Sequence, residues 1–348
     1  MPTFVNMILV TGGTGLVGAH LLYELAARNK KVRALKRAGS NTGMVERIFD
    51  WYDPGKGGDL FGMIEWMDGD INDVTGLQEA MDGIQSVYHC AAMVSFMPQD
   101  RQAMMKANVD GTASVVNVAL QKGVSGLCHC SSVAALGQPQ PGDVIDENLV
   151  WKTSGSHSWY AMSKYGAERE VWRASEEGLN VVIVNPTVVI GPGDPARSSA
   201  QFYQSVARGM KFYTQGVTGF VDARDVAAAM VDLMESPVER QRFILNSENL
   251  SYKEVFSLLA KHAGVKPPSF SAGRFMSGLA WRLEAFRSFI TGKKPLLSRE
   301  TAQNAHNTRY FSNQKAKEAL GIRFRTMDEA AKNTAGFFQE NPSLLTKG

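Results

Sequence analysis

Residues 11–18 read TGGTGLVG, and they follow an apolar run that has the length of a short strand. A helix-like pattern begins at the end of this stretch, so the glycines connect a strand to a helix. Gly12 allows a tight turn, Gly15 lets backbone approach a pyrophosphate, and Gly18 lets the helix pack closely on the strand. The N–H groups at the start of this helix bind phosphate groups. The stretch therefore predicts a dinucleotide site.

Short apolar runs alternate with helix-like segments through the first half of the chain. Such alternation predicts an α/β Rossmann fold, a doubly wound parallel sheet with helices on both faces. We expect a nucleotide-binding Rossmann domain over 1–186 with about 219–248. A smaller, discontinuous C-terminal substrate lobe would come from 187–218 and 249–348, with the ligand between the two. The long connection at 40–61 is interpreted as a packed surface excursion with a short helix.

The chain has 348 residues and a formal net charge of +3, and its composition is typical of a globular protein. This charge is too small to indicate nucleic acid as a partner. The N-terminus lacks the pattern of a signal peptide, and no apolar run approaches the roughly 20 residues of a membrane span. Cys90, Cys128 and Cys130 lie in apolar runs, which favours buried thiols and a cytoplasmic location. Although His129 separates two of them, further ligands at a familiar spacing are missing, so no metal site is predicted.

The second predicted strand ends in Lys36-Arg37. A carboxylate at this place would bind a free ribose 2′-hydroxyl, whereas Arg37 suits a 2′-phosphate. The pair therefore favours NADP(H), with NAD(H) possible and a solvated basic pair as the simpler alternative. Asp70-Ile71 ends the third strand and is expected at the adenine edge.

The stretch SWYAMSKYG at 158–166 places Tyr160 four residues before Lys164. On a helix both side chains project from one face. A free phenol titrates near pH 10, but a nearby ammonium favours the phenolate, so Tyr160 could exchange a proton with a substrate oxygen. For this spacing alone, a packed tyrosine beside an exposed lysine is the simpler interpretation. Tyr165 is expected to pack.

Many motifs of this chain occur in an order that closely resembles the extended short-chain dehydrogenase/reductase family. That family includes NAD-dependent epimerase/dehydratases, dihydroflavonol reductases and 3β-hydroxysteroid dehydrogenases. The resemblance spans nearly the whole chain and rests on TGGTGLVG at 11–18, GDIND at 69–73, YHCAA at 88–92, NVDGT at 108–112, CSSVAALG at 130–137, YAMSK at 160–164, NPTVVIGPGD at 185–194 and FVDARDVA at 220–227.

The resemblance implies a catalytic serine, tyrosine and lysine. Tyr160 and Lys164 match the tyrosine and the lysine, and Ser132 is the most plausible serine by its distance from Gly137, with Ser131 as the fallback. The serine would hydrogen-bond the substrate oxygen as charge develops on it. Together with the glycine loop, these residues favour a proton donor at Tyr160.

The resemblance also assigns supporting and cofactor-binding residues. Asn108 matches an asparagine that, in relatives, holds a helix and a proton-relay water. Lys164 would also hold the nicotinamide ribose. The expected cofactor-binding residues are Gly12, Thr14, Gly15, Leu16, Val17, Gly18, Arg37, Asp70, Ile71, Ala91, Ala92, Lys164, Pro186 and Val188.

Departures from the family pattern disfavour some of the reactions that the family catalyses. Val133 and Ala134 occupy positions where dehydratases carry an acidic pair, so elimination of water is disfavoured. Gly219 and Asn185 stand where sugar-nucleotide epimerases usually carry arginines, which disfavours a phosphate-rich substrate.

An apolar substrate is instead suggested by Met-rich and aromatic residues, which suit a hydrophobic ketone or alcohol. The candidates are Met93, Ser95, Phe96, Phe202 and Phe212, and packing between the lobes is the equal alternative. The amphipathic segment 275–295 has basic flanks and would cap the lobe, line the pocket or rest on a membrane surface.

The sequence thus favours an NADP(H)-dependent oxidoreductase that interconverts a ketone and a secondary alcohol. A sugar-nucleotide epimerase and a non-catalytic, cofactor-binding regulatory protein stay open. The resemblance also implies a homodimer, joined through helices at about 104–122 and 160–177.

Overall fold

The computed structural model describes residues 7–140, 142–153, 157–197, 199–291 and 299–346. In chain order its elements are β1 (Met7–Thr11), α1 (Leu16–Ala27), β2 (Lys31–Lys36), α2 (Gly43–Tyr52), α3 (Gly57–Gly62), β3 (Ile64–Asp68), α4 (Val74–Ala80), β4 (Ile84–His89), a 3-10 turn (Pro98–Asp100), α5 (Arg101–Met105), a π-helical turn (Lys106–Asp110), α6 (Gly111–Gln121), β5 (Gly126–Cys130), a second 3-10 turn (Val133–Ala135), β6 (Val144–Ile145), α7 (Trp159–Glu176), β7 (Asn180–Pro186), β8 (Val188–Ile190), α8 (Ala200–Ala207), β9 (Phe212–Tyr213), β10 (Val217–Asp222), α9 (Ala223–Glu235), β11 (Gln241–Leu245), β12 (Glu248–Ser251), α10 (Tyr252–Ala263), β13 (Phe270–Ser271), α11 (Arg274–Thr291), α12 (Arg299–Asn304), β14 (Tyr310–Phe311), α13 (Gln314–Leu320), α14 (Met327–Glu340) and α15 (Ser343–Thr346).

The central sheet has seven parallel strands in the order β11-β7-β5-β4-β1-β2-β3. The chain runs outward from β1 to β3 and then crosses back to β4, so the direction of winding reverses between β1 and β4. This is the doubly wound Rossmann arrangement that the alternating pattern predicts, and the prediction is confirmed. Ligands bind at such a reversal, outside the carboxyl ends of the strands.

Both faces of the sheet are buried, and successive residues of β1 show why. Leu9 packs with Val87 and Val115 in one cluster, whereas Val10 packs with Leu22 in the other. Side chains alternate between the faces of a strand, so a strand that is covered on both sides reads as a continuous apolar run. Within the described ranges, no helix has the length and apolar content that crossing a bilayer requires.

The second lobe is built around a three-stranded sheet in the order β12-β10-β8. β7 ends at Pro186 and β8 begins at Val188, so the chain leaves the central sheet there for the smaller one. β10 belongs to the small sheet, whereas β11 returns as an edge strand of the central sheet. The small sheet is therefore built from segments that are discontinuous in sequence.

The long connection at 40–61 forms two helices, α2 and α3, rather than one short helix. Ile48 and Phe49 are buried, which confirms a packed excursion. Trp51 Nε1 donates to Asn333 Oδ1 at 2.9 Å, and the Tyr52 hydroxyl accepts from Asn333 Nδ2 at 3.1 Å. The excursion therefore ties the nucleotide half of the chain to α14, a contact that no sequence pattern indicates.

Candidate functional site

The glycine loop lies at the end of β1, where the winding reverses. Gly12 has a φ of +74°, and a Cβ atom there would meet the backbone nitrogen of Ala91 at 2.5 Å. A Cβ atom on Gly18 would lie 2.2 Å from the Gly12 carbonyl oxygen. Any side chain at either position would therefore separate the loop from α1 or from the chain after β4. The packing explains both glycines and places Ala91 directly beside the loop.

The first turn of α1 is open to a ligand. Gly15 precedes the helix, is exposed and offers no side chain to cap it, and the first turn carries no acidic residue. Thr14, Leu16 and Val17 around it are partly exposed. The unpaired N–H groups and the positive end of the helix dipole are therefore available to an anion. With the tight glycine cradle, this arrangement fits the diphosphate of a dinucleotide.

The basic pair after β2 is divided between two environments. Lys36 forms an ion pair with Asp68 on the neighbouring strand, whereas Arg37 is exposed. Two hydrogen bonds from Asn72 lower the pKa of Asp70, and Arg37 contributes to the same shift, so the guanidinium lies within electrostatic range of this carboxylate. Arg37 is thus the cation of the pair that remains available at the end of β2.

Two further residues expected to bind the cofactor, Ile71 and Ala92, lie at the same edge of the sheet. Ile71 follows Asp70 and packs against α6, where a Cβ atom on Gly111 would meet Ile71 Cδ1 at 2.5 Å. Ala92 is exposed directly after Ala91. The structure therefore brings the segments after β1, β2, β3 and β4 to one edge of the sheet, as parallel strands require.

Tyr160 and Lys164 lie in the first turns of α7. The hydroxyl of Ser158 caps this helix by accepting a first-turn N–H at 3.0 Å. Lys164 is only 4% exposed, and its Nζ donates to the carbonyl oxygen of Cys130 at 3.0 Å. An ammonium has three N–H donors, so this bond leaves two for a ligand. Tyr160 stays partly exposed, with its ring edge-to-face to Phe96 at 5.5 Å.

The two candidate serines have different partners. Ser131 is buried, and its hydroxyl donates to Glu168 Oε2 at 2.8 Å. Ser132 is partly exposed at the start of the second 3-10 turn, where its Oγ accepts from Ala134 N at 3.1 Å. Because that bond uses an oxygen lone pair, the Ser132 hydroxyl proton is still free to donate. The surroundings therefore favour Ser132 over Ser131 as a donor to a ligand.

Glu168 organises the floor of this site, and sequence reasoning missed it. Its carboxylate accepts from Asn185 Nδ2 at 2.9 Å and from Arg242 Nη1 at 3.1 Å, in addition to Ser131. Asn185 also donates to the carbonyl oxygen of Ser132 at 3.0 Å. Where relatives carry an arginine, this chain therefore places an amide, and the positive charge comes from Arg242 on β11. The available signal was the spacing, since Glu168 follows Lys164 by one turn.

Asn108 holds the loop after β4 against α7 from within the π-helical turn. Its Oδ1 accepts from Met93 N at 2.7 Å, while its Nδ2 donates to Met93 O and to Ser163 Oγ, both at 2.9 Å. Ser163 Oγ in turn donates to the Tyr160 carbonyl oxygen at 2.8 Å. Insertions of this helical type recur at functional sites. Asn108 thus positions the backbone beside Tyr160.

The substrate candidates separate into two groups. Met93, Ser95 and Phe96 share the loop after β4, and Ser95 Oγ donates to Asp100 Oδ2 at 2.7 Å. This loop reaches Tyr160 through the ring of Phe96, which is 37% exposed.

The other two candidates lie in the second lobe. Phe202 packs edge-to-face on Tyr252 and Phe256, whereas Phe212 is 49% exposed and pairs with Phe270. Among the described residues, no ring contact joins either one to the loop after β4. A substrate role for Phe202 and Phe212 therefore stays a prediction.

Pro186 and Val188, which are expected to bind the cofactor, lie at the transition between the two sheets. Pro186 is buried, and Val188 pairs with Phe220 on β10. Next to this pair, a Cβ atom on Gly219 would lie 2.4 Å from Asn246 Oδ1. In this chain a side chain at 219 would therefore displace Asn246, so the local packing fits glycine.

The cysteines are free thiols, as expected: Cys128 and Cys130 are buried and Cys90 is partly exposed. The ring of His129 stacks on His89 at 5.1 Å, and burial lowers the pKa of both imidazoles. In the part of the chain that the structure describes, no group of three or more His, Cys, Asp or Glu side chains could hold a metal ion.

Comparisons with known proteins agree with this geometry. The profile of the NAD dependent epimerase/dehydratase family matches residues 8–246. The chain is 29% identical over 349 residues to the putative dihydroflavonol 4-reductase of Synechocystis, covering 98% of this chain and 97% of the relative. It is 26% identical to sterol demethylase protein B of Methylococcus capsulatus, covering 95% and 98%.

Solved structures show the same fold. The structure of gox2253 has a TM-score of 0.79 at 31% identity, covering 97% of this chain and 98% of that one. A UDP-glucose 4-epimerase from Thermotoga maritima, solved with UDP-glucose, has a TM-score of 0.75 at 20% identity, with coverages of 97% and 99%. At that identity the second likeness shows the fold alone. The glycine cradle, the open helix and the profile match together show that this chain belongs to the NAD dependent epimerase/dehydratase family, whose nicotinamide dinucleotide site it carries.

Proposed function

We propose that the protein is an NADP(H)-dependent oxidoreductase that interconverts a ketone and a secondary alcohol on a largely apolar substrate. The observation that carries the proposal is the arrangement around Lys164, which is buried one turn from the partly exposed Tyr160. Its anchoring carbonyl belongs to Cys130, two residues before Ser132. This bond holds Lys164 against the segment that carries Ser132, which supports an acid–base set of Ser132, Tyr160 and Lys164.

The chain's own residues would control the proton and the substrate oxygen. Tyr160 donates its phenolic proton to the carbonyl oxygen, or accepts one in the reverse direction. Ser132 donates a hydrogen bond to the same oxygen as charge develops there. The Lys164 ammonium stabilises the phenolate that remains on Tyr160. The nicotinamide, when bound, supplies or accepts the hydride.

The exposed guanidinium of Arg37 supports a preference for NADP(H). A 2′-phosphate at the end of β2 would meet this cation, because Lys36 is already paired with Asp68. Replacing Arg37 by alanine should weaken NADP binding about tenfold while leaving NAD binding nearly unchanged. Lys36→Ala is the matched control, since it removes a neighbouring charge that is already paired. Equal affinity of the unmodified protein for the two cofactors, measured by calorimetry, would contradict the preference.

The loop after β4 supports an apolar substrate. The Phe96 ring lies against Tyr160, and the Ser95 hydroxyl donates to Asp100. Two relatives are named as reductases. Each is a cinnamoyl-CoA reductase 1, one from Arabidopsis thaliana and one from Petunia hybrida, and each is 30% identical to this chain over 203 residues. These names favour reduction as the reaction.

The test is turnover of NADPH with a panel of apolar ketones, and of NADP with the matching alcohols. Tyr160→Phe should lower kcat by roughly 100-fold to 10,000-fold, the range over which a general acid contributes. Tyr165→Phe is the matched control, because Tyr165 stacks on Trp151 with ring centroids 4.2 Å apart and lies one residue past Lys164. Full activity of Tyr160→Phe would refute the acid–base assignment.

The same assay distinguishes the two alternatives. An epimerase would isomerise its substrate with no net change in NADPH absorbance, since cofactor is reduced and reoxidised within one turnover. A regulatory protein would bind the cofactor and turn over no member of the panel, and its biological role would survive Tyr160→Phe.

A further inference from the structure

Helix α11 carries an apolar face that the described part of the chain leaves uncovered. Phe275 is 88% exposed, Met276 is 45% exposed and Leu279 is 51% exposed. The opposite face is anchored, because Ser277 is buried and shares a hydrogen bond of 2.9 Å with His306 Nε2. At 3.6 residues per turn, Phe275 and Leu279 lie across the helix from Ser277. The helix is therefore held from one side and presents hydrocarbon to the outside on the other.

Two further exposed aromatic rings belong to the strand that leads into this helix and to its paired strand. β13 ends three residues before α11 and pairs with β9, where the ring of Phe270 lies 5.8 Å from that of Phe212. Phe270 is 59% exposed and Phe212 is 49% exposed. We define the apolar patch as Phe212, Phe270, Phe275, Met276 and Leu279. Clusters of exposed apolar side chains of this kind mark surfaces that bind a protein, a membrane or a ligand.

Exposed cations surround the apolar patch. Lys211 precedes Phe212, Arg274 precedes Phe275, and Lys266 and Arg282 lie on its two sides along the chain. Among the ion pairs formed within the described residues, none involves these four side chains. The sequence contains no Asp or Glu between Glu254 and Glu284, nor between Asp194 and Asp222. Within these two segments of the chain, the charged side chains that flank the patch are therefore all positive.

We propose that the apolar patch and its cations dock the protein on an anionic lipid bilayer surface. Exposed Phe, Met and Leu side chains enter the boundary between headgroups and acyl chains, while Lys and Arg remain at the phosphate level. Anionic lipid attracts such cations, each by about fivefold in affinity when it lies near the surface. The docking is peripheral.

A second copy of the chain fits the patch poorly. A two-fold contact would place the same surface on both sides, so that Lys211 and Arg274 of one copy would face the cations of the other. With no acidic side chain in these segments, the contact would bring like charges together without compensation. A bilayer supplies the opposite charge and the hydrocarbon at once.

Flotation of the full-length protein with lipid vesicles tests the proposal. We expect the protein to float with vesicles that contain one-third phosphatidylglycerol in phosphatidylcholine, and to stay in solution with phosphatidylcholine alone. High salt should weaken the binding, because it screens exposed charges. Phe275→Ser should weaken binding to the anionic vesicles about tenfold, and Arg274→Gln about fivefold.

The control is Val150→Ser, which removes a side chain that is 69% exposed on another part of the surface and should leave binding unchanged. Failure of the unmodified protein to float with anionic vesicles would overturn the proposal. So would equal binding by Phe275→Ser and the unmodified protein. Light scattering in the absence of lipid tests the second copy, and a dimer that Phe275→Ser dissociates would assign the patch to self-association instead. None of these readouts depends on turnover.

Discussion

At the scale of single residues, Glu168 shows how this chain keeps a charge away from water beside the candidate site. Its carboxylate is 2% exposed and is balanced by Arg242 from another strand. Removing one partner of a buried pair leaves the other charge uncompensated, which is more costly than the net contribution of the pair itself. The stability of the site floor therefore depends on a residue more than seventy positions away in sequence.

Arg242→Met should lower the free energy of unfolding by about 3 to 5 kcal/mol, because the Glu168 carboxylate then stays buried without a cation. Urea denaturation measures this change. Lys122→Met is the matched control, since Lys122 forms an ion pair with the exposed Asp82, and the expected cost is below about 1 kcal/mol. The interpretation fails if the two variants lose the same amount.

His20 predicts a dependence of stability on pH. Burial lowers its pKa from 6.5 to about 4, while its Nδ1 donates to Leu16 O and its Nε2 shares a hydrogen bond with the Tyr52 hydroxyl. In the unfolded chain His20 therefore binds a proton near pH 6.5, whereas in the folded chain it binds this proton only near pH 4. The contribution of a neutral His20 is present above pH 6.5, is lost progressively as the pH falls, and levels off below about 4.

His20→Gln should remove this part of the pH dependence. Between pH 7 and pH 4.5 the unmodified protein should lose about 2.5 kcal/mol more stability than the variant, measured by urea denaturation at both values. The carboxylates titrate alike in both proteins, so their contribution cancels in the comparison. Parallel losses in the two proteins would show that His20 is not the group responsible.

Single residues also show which parts of the candidate site were predictable from the sequence. Tyr160 and Lys164 were predictable because one helix turn separates them, and Tyr165 was correctly expected to pack, since it stacks on Trp151. The pairing of Glu168 with Arg242 was not, because it joins α7 to β11; the one-turn spacing from Lys164 places Glu168 on the same helix face but does not identify its partner. No local spacing encodes a contact of that kind.

At the scale of elements, the turn between β1 and α1 requires glycine at position 12 for two reasons: a positive φ and a close contact with the backbone of Ala91. Gly12→Ala combines an unfavourable positive φ with a Cβ atom 2.5 Å from Ala91 N. Gly123→Ala has the unfavourable φ alone, since nothing lies within 4 Å of its Cβ position. The difference between the two variants isolates the contact.

Gly12→Ala should therefore abolish the thermal stabilisation by NADP, whereas Gly123→Ala should retain it. Both should lose roughly 1 kcal/mol or more of stability from the strained backbone, and Gly12→Ala should lose more. Differential scanning fluorimetry with and without cofactor measures both effects. Retained NADP stabilisation in Gly12→Ala would contradict the assignment of this turn as the cradle.

The excursion formed by α2 and α3 makes a second prediction at this scale. Trp51→Ala should destabilise the protein by about 2 to 3 kcal/mol, because the indole packs on Phe337 and against Gly336 and donates to Asn333. Met63→Ala, just after α3, is the control and should change stability by less than about 0.5 kcal/mol, since Met63 is 47% exposed. Chemical denaturation compares them, and equal stabilities would show that the contact with α14 contributes little.

At the scale of the whole molecule, the doubly wound sheet was predictable because its strands are covered on both faces and alternate with helices. The second lobe was predicted only as discontinuous pieces. Its strands are two to six residues long, and their pairing joins segments such as β6 and β14 that lie far apart in sequence. Short strands of this kind carry too little periodicity to reveal their partners.

The resemblance predicts a homodimer through α6 and α7. Light scattering should give twice the chain mass of 38.0 kDa over a range of concentrations. Met162 and Arg169 are both exposed on α7 and lie seven residues apart, on one side of the helix, where a partner could pack. A mass of one chain at every concentration would refute the prediction.

The bond between Trp51 and Asn333 spans 282 positions of the chain, which gives it a consequence for biosynthesis. The nucleotide half emerges from the ribosome first, yet its excursion cannot reach α14 until synthesis has passed residue 333. During that interval, Trp51 and the apolar residues around it lack their final cover. We therefore expect the newly made nucleotide half to need protection from association with other chains until α14 has docked.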